Sequence, residues 1–135
     1  RSTLLASSAA SDVYKRQTHN CVVYTGTHDN DTVMGWYDTL KGADKKLCDD
    51  YLRLKNADGE PIPREQLPWE FVRAAMSSVA DLAIIPMQDY LGLGSEARIN
   101  IPSTLGINWK WRMGNGDFTK ELAGRIRSMT KLYGR

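Results

Sequence analysis

The sequence predicts an α/β fold with parallel strands, and three observations carry that expectation. Two short runs of strand type, Val22 to Thr25 and Leu82 to Ile85, each precede segments of helical periodicity. The second run is continuous and apolar, the pattern of a strand buried on both faces of a parallel sheet. No repeat at solenoid spacing competes with this order of elements. With 135 residues, 41% of them apolar, the chain matches one ordinary domain with a core.

Taken in order, residues 1 to 17, "RSTLLASSAASDVYKRQ", are Ser/Ala-rich without an apolar period. A transit peptide shares that composition, but the stretch is expected to be a non-native or disordered leader, leaving 18–135 as the folded part. After the first strand, "TVMGWYDTL" and "ADKKLCDDYLRL" read as helices, the latter with Leu47, Tyr51 and Leu54 at helical spacing. "NADGEPIPREQL" is a loop, because Asp58-Gly59 marks a turn and Pro61 and Pro63 lack backbone donors. Pro68 then suits a first helical position and Glu70 a first turn. Trp69, Val72, Met76 and Val79 share one face of the helix that follows. Pro86 ends the second strand, and the Gly/Pro/Asn-bearing stretch from Gly92 to Asp117 is expected to be a structured loop. The last helix repeats Phe118, Leu122, Ile126, Met129 and Tyr133, with Asp117 as its expected N-cap.

Charge and cysteine usage narrow the function. The formal charge of +2 arises from 18 basic and 16 acidic residues, well mixed, so neither nucleic acid nor an anionic membrane is an expected partner. Cys21 and Cys48 lack metal-ligand spacing and are expected to be free thiols of a reducing, cytoplasmic compartment. The strongest apolar window, Val79 to Met87, is far too short to span a bilayer.

The densest polar cluster is "TGTHDNDT", residues 25–32, directly after the first strand. It reads either as a solvated turn or as a site rim. In parallel α/β folds functional residues sit at strand carboxyl ends, where His28 and Asp29 follow one strand and Gln88 and Asp89 the other. An EF-hand beginning at Asp29 is excluded, since Val33 and Met34 occupy its fifth and sixth positions.

The stretches "VVYTGTHDNDTVMGWY" and "IIPMQDYLGLGSEARINIPSTLGINWKWR" resemble the C-terminal part of the amylomaltases, the 4-α-glucanotransferases or disproportionating enzymes of the α-amylase clan. The resemblance spans roughly residues 18 to 133, departing at Ile99 and Ser103, where Met and Gly are expected. It implies a partial (β/α)₈ TIM barrel in which this chain supplies strands seven and eight with their helices. The rest of the same barrel is then its partner, and no cofactor or metal is needed. It also implies transfer of α-1,4-glucan segments between maltooligosaccharides by a retaining double displacement. The nucleophilic Asp and the acid/base Glu belong to earlier strands that this chain does not contain, so the chain alone is expected to be inactive. Asp29 matches the third carboxylate, a transition-state stabiliser that also binds substrate; His28 and Asn100 match sugar-hydroxyl contacts. A carboxylate beside an imidazole can grip a diol, one accepting and the other donating.

Other residues have structural readings. Asp31 is expected to cap the helix at "TVMGWY". Without the resemblance His28 reads as a turn or core histidine, and Asp89 could cap the segment after it. Trp36 and Trp69 are expected in the core, and of Trp109 and Trp111 one inward and one outward. Arg98 and Arg112 are expected to orient loop carboxylates, Glu96 being the candidate. The competing functions are a non-catalytic glucan-binding module and a structural α/β domain whose polar rim is turn chemistry alone.

Overall fold

The computed structural model describes the backbone of residues 2–4 and all of residues 20–135. Three strands form a parallel sheet in the order β1 (Ser2–Leu4), β2 (Val22–Tyr24), β3 (Leu82–Ile84), with Val22 opposite both Ser2 and Leu82. The sheet thus includes three residues of the stretch read as a leader; residues 5–19 lie outside those described. Helices α1 (Val33–Thr39), α2 (Gly42–Leu52) and α3 (Leu67–Met76) connect β2 to β3. A one-turn helix α4 (Met87–Tyr90) follows β3, and α5 (Lys120–Leu132) closes the chain. Parallel neighbours require such a crossover, which is why the long helical connection between the two apolar runs is legible as α/β.

The core lies mainly among the helices. Val33, Met34 and Tyr37 of α1 pack with Leu52, Leu54, Leu67 and Phe71, and Trp36 and Tyr37 meet the Phe71 ring edge-on at 6.0 and 6.1 Å. A smaller cluster of Val23, Ala75 and Ala80, joined by Ala83, sets α3 against the sheet. Small residues at Ala75, Ala80 and Ala83 let helix and strand approach closely. Trp69 is a core residue as expected, Trp36 is partly buried against the core, and the Arg125 guanidinium of α5 lies 3.8 Å above the Trp69 ring. Arg135 fastens the end of α5 by donating to the carbonyls of Met76 and Ser78 at 2.7 and 2.8 Å.

Several expectations are corrected. β3 is not buried on both faces: side chains alternate across a strand, so Ala83 meets α3 while Leu82 and Ile84 are exposed on the other face. In α2, Leu47 and Tyr51 are exposed, and the inward contacts come from Cys48 and Leu52 instead. Val79 lies beyond the end of α3 and is also exposed. The cap of α1 is Thr32, whose hydroxyl accepts the Gly35 N–H at 3.0 Å; the Asp31 carboxylate is engaged elsewhere. Likewise Thr119 caps α5 by accepting the Leu122 N–H, while Asp117 accepts the Gly114 N–H in the preceding turn. Both cysteines are free, and burial pushes the Cys48 thiol up to about 11.

Candidate functional site at the strand carboxyl ends

The polar rim is assembled around a buried carboxylate. Asp89, at 1% exposure, receives the Thr25 hydroxyl at 2.5 Å on one oxygen and the Val33 N–H at 2.9 Å on the other. It therefore joins the residue after β2, the first turn of α1 and the short helix after β3. It accepts a first-turn N–H of α1 across space, beside the Thr32 cap, rather than capping the segment that follows it in sequence. Burial raises its pKa, and the Asp31 charge adds to that shift, while the bonds from Thr25 and Val33 oppose it. Gln88 beside it is also buried, donating to the Ala97 carbonyl at 3.2 Å. Asp31 accepts the Thr32 N–H at 2.8 Å and the Ser95 hydroxyl at 2.7 Å, so a second tie joins the two rims.

With the turn held in this way, Asp29 and His28 project outward, each with about half of its side chain accessible. Thr27 and Asn30 close the turn, the Asn30 side-chain oxygen accepting both the N–H and the hydroxyl of Thr27. His28 Nε2 lies 3.4 Å from Asp29 Oδ1, and Asn100 donates to the same oxygen at 2.6 Å. Asn100 is 71 positions away in sequence, carried in by the long loop. Asp29, His28 and Asn100 are therefore brought together.

Arg98 secures this loop, though not through a carboxylate as expected. Its guanidinium donates to the Asn100 carbonyl at 2.8 Å and to the Asp29 carbonyl at 2.7 Å, because its fork spans the two main chains being joined. Glu96 is occupied by the Gly94 N–H at 2.8 Å, and Arg112 donates to the carbonyls of Trp109 and Trp111. Trp109 is the outward member of its pair and Trp111 the half-buried one. The Trp109 ring stands 5.1 Å from the His28 ring, tilted by 35°. Neither the keystone role of Asp89 nor this ring contact follows from sequence spacing.

Chemically, the cluster offers a solvent-accessible carboxylate acceptor, imidazole and amide groups at its flank, and an aromatic surface beside them. Among the described residues no group of His, Cys, Asp and Glu is arranged to hold a metal ion. A separate cleft of about 310 Å³, lined by Met34, Pro68, Trp69 and Tyr90 among others, shares none of these residues.

The fold and cluster define an α/β protein with a polar rim at its strand carboxyl ends, centred on the accessible Asp29 carboxylate. The chain belongs to the 4-alpha-glucanotransferase family, whose model matches residues 5–117. It is 48% identical over 117 residues to the 4-alpha-glucanotransferase of Clostridium butyricum, covering 86% of this chain and 23% of that protein. The Thermus thermophilus enzyme of the same name is 46% identical over 112 residues, 82% of this chain and 22% of its own. The chloroplastic/amyloplastic 4-alpha-glucanotransferase of Arabidopsis thaliana is 45% identical, with 86% and 19% covered. Among solved structures, amylomaltase from Streptococcus agalactiae in complex with acarbose superposes with a TM-score of 0.81 at 30% identity, over 97% of this chain and 25% of that one. The chain thus spans about a fifth to a quarter of the length of these relatives.

Proposed function

We propose that this chain forms part of a 4-α-glucanotransferase that moves α-1,4-glucan segments between maltooligosaccharides by a retaining double displacement. In this reading residues 18–135 belong to a (β/α)₈ barrel in which β2 and β3 are strands seven and eight. Earlier strands supply the nucleophilic Asp and the acid/base Glu, so the chain alone does not turn over. The protein acts in the cytoplasm; the Arabidopsis relative is chloroplastic/amyloplastic, and no helix among the described residues is long and apolar enough to cross a membrane.

The observation that carries the proposal is the Asp29 carboxylate. It is accessible, held by Asn100 at 2.6 Å, and flanked by His28 just beyond the end of a parallel strand. An oxocarbenium-like sugar gains positive charge as the glycosidic bond breaks, and a preorganised carboxylate strengthens its interaction as that charge develops. Asp29 also accepts from sugar hydroxyls, while His28 and Asn100 orient it and contact neighbouring hydroxyls. Asn100 already donates one amide hydrogen to Asp29, so Asp29 stays fixed whether or not sugar is bound.

The test is disproportionation of maltotriose, followed by glucose release, in the complete barrel bearing this sequence. Asp29→Asn keeps the shape and removes the charge, with an expected fall in turnover on the order of 10²–10³. His28→Ala is expected to be milder. Asp31→Asn is expected to be milder still, because Asp31 serves the Thr32 N–H and Ser95. Near-wild-type turnover of Asp29→Asn alongside an inactive Asp31→Asn reverses these assignments.

A further inference from the structure

We infer that Trp109 is a stacking platform for a glucosyl unit adjoining the one gripped by Asp29 and His28, an inference that rests on the function proposed above. Several apolar side chains of the same loop are exposed, Leu105 and Ile107 among them, so exposure alone does not distinguish Trp109. Its fixation does. The residue has φ +64°, a left-handed conformation that bulky L-residues adopt only where their surroundings impose it.

Those surroundings are identifiable. The Trp109 N–H donates to the Ile99 carbonyl at 2.8 Å, and Arg112 donates to the Trp109 carbonyl at 3.0 Å and to that of Trp111 at 2.7 Å. Ile99 adjoins Asn100, whose amide holds Asp29. One loop therefore delivers an amide to the Asp29 carboxylate and an aromatic ring to the neighbouring His28. The ring contacts His28 at a tilt and remains 57% exposed, leaving accessible indole surface at the rim of the cluster. Pyranose rings carry an apolar C–H face and a hydroxyl edge. A site offering an indole surface beside a diol grip matches both, which is the chemistry of an α-glucan chain continuing past the held unit. A ring serving only to prop His28 needs no such exposure.

The experiment titrates acarbose, the compound bound in the Streptococcus agalactiae structure, into the complete protein. It is paired with kinetics on maltotriose and maltoheptaose for Trp109→Ala, Trp109→Phe, His28→Ala and the double Trp109→Ala/His28→Ala variant, each checked for folding by circular dichroism. Loss of an aromatic contact is expected to weaken acarbose about three- to tenfold. KM should rise more for maltoheptaose than for maltotriose, with a smaller change in kcat. Trp109→Phe should recover most of the affinity, and the double variant should be weaker than either single one. Unchanged acarbose affinity in Trp109→Ala overturns the platform. So does a loss equal to that of His28→Ala with no further loss in the double variant, which makes the ring a prop. If wild type disproportionates maltotriose and Asp29→Asn does not, such a result leaves the proposed function standing; absence of turnover by wild type overturns both.

Discussion

Removing the buried carboxylate of Asp89 tests whether the rim is built around it. Its two oxygens receive the Thr25 hydroxyl at 2.5 Å and the Val33 N–H at 2.9 Å, and the residue is almost completely buried. Hydrogen bonds to an ionised group contribute about 1.5–3 kcal/mol each, and part of that sum is offset by burying the charge. Asp89→Ala also strands both donors without water to replace the lost acceptor. The expected loss is roughly 3–5 kcal/mol. Asp89→Asn is gentler, at about 1–2 kcal/mol: its amide oxygen can still accept from Val33, and Thr25 Oγ can accept from the new NH₂. The assay is amide exchange in the complete protein, read over peptides spanning residues 25–35, together with the thermal midpoint. Exchange there should accelerate for both variants, more for Asp89→Ala, while the α2 region stays protected. The pH dependence has a definite sign. Burial raises the folded-state pKa of Asp89 above the ordinary 3.8. Its contribution is then fully present below the unfolded value and declines as pH rises through the folded one. The Asp89→Asn deficit should therefore narrow as pH climbs through that window. Wild-type exchange and stability in Asp89→Ala would refute the keystone reading.

Two further substitutions follow from close approach and backbone conformation. A Cβ at Gly35 would lie 2.4 Å from Ser95 Oγ and 2.6 Å from Asp31 Oδ1, so Gly35→Ala should destabilise by about 1–3 kcal/mol, although Ala favours helix. In an Asp31→Ala/Ser95→Ala background the same change should become neutral or stabilising in thermal melts, and continued destabilisation would refute the contact. Ser103 has φ +63° at the third position of a turn closed by the Thr104 N–H to the Ile101 carbonyl, with Pro102 before it. Ser103→Gly relieves that conformation and should raise stability by about 0.5–1 kcal/mol after the entropy loss of glycine is counted; a lower midpoint would contradict this.

Legibility from sequence divides along a physical line. β2 and β3 were readable because a run of β-branched or aliphatic residues bounded by Gly and Pro has few alternatives, and the ends differ from expectation by one residue. The face of β3 was not, since a continuous apolar run does not say which side is covered; packing decides that, and Leu82 and Ile84 are exposed. Capping failed for a related reason. Asp31-Thr32 and Asp117-Phe118-Thr119 each offer two good caps within one turn. The choice depends on what else the carboxylate can bind, Ser95 in one case and the Gly114 N–H in the other. The Ser/Ala-rich stretch around β1 gave no strand signal, because its pairing uses main-chain groups that side-chain pattern does not report.

The same distinction separates the two shells of the rim. The rim position of Asp29 and His28 was legible because motif and strand end coincide in eight residues of sequence, whereas their proposed role, like that of Asn100, rests on the family resemblance. What holds them is non-local: Asp89 reaches Thr25 across 64 positions, Ser95 reaches Asp31 across 64, and Arg98 reaches Asp29 across 69. All three ties run between the turn after β2 and the segment after β3. In isolation the β2 turn would sample many orientations of its carboxylate, and ordering it would oppose sugar binding. Each tie transfers that ordering to the folding step, so under the proposed function the orientation of Asp29 is set before a glucan arrives. On this argument the long loop from Gly92 to Asp117 acts as a clamp on the rim of its neighbouring strand, and changes at Ser95 or Arg98 should alter sugar affinity without touching sugar.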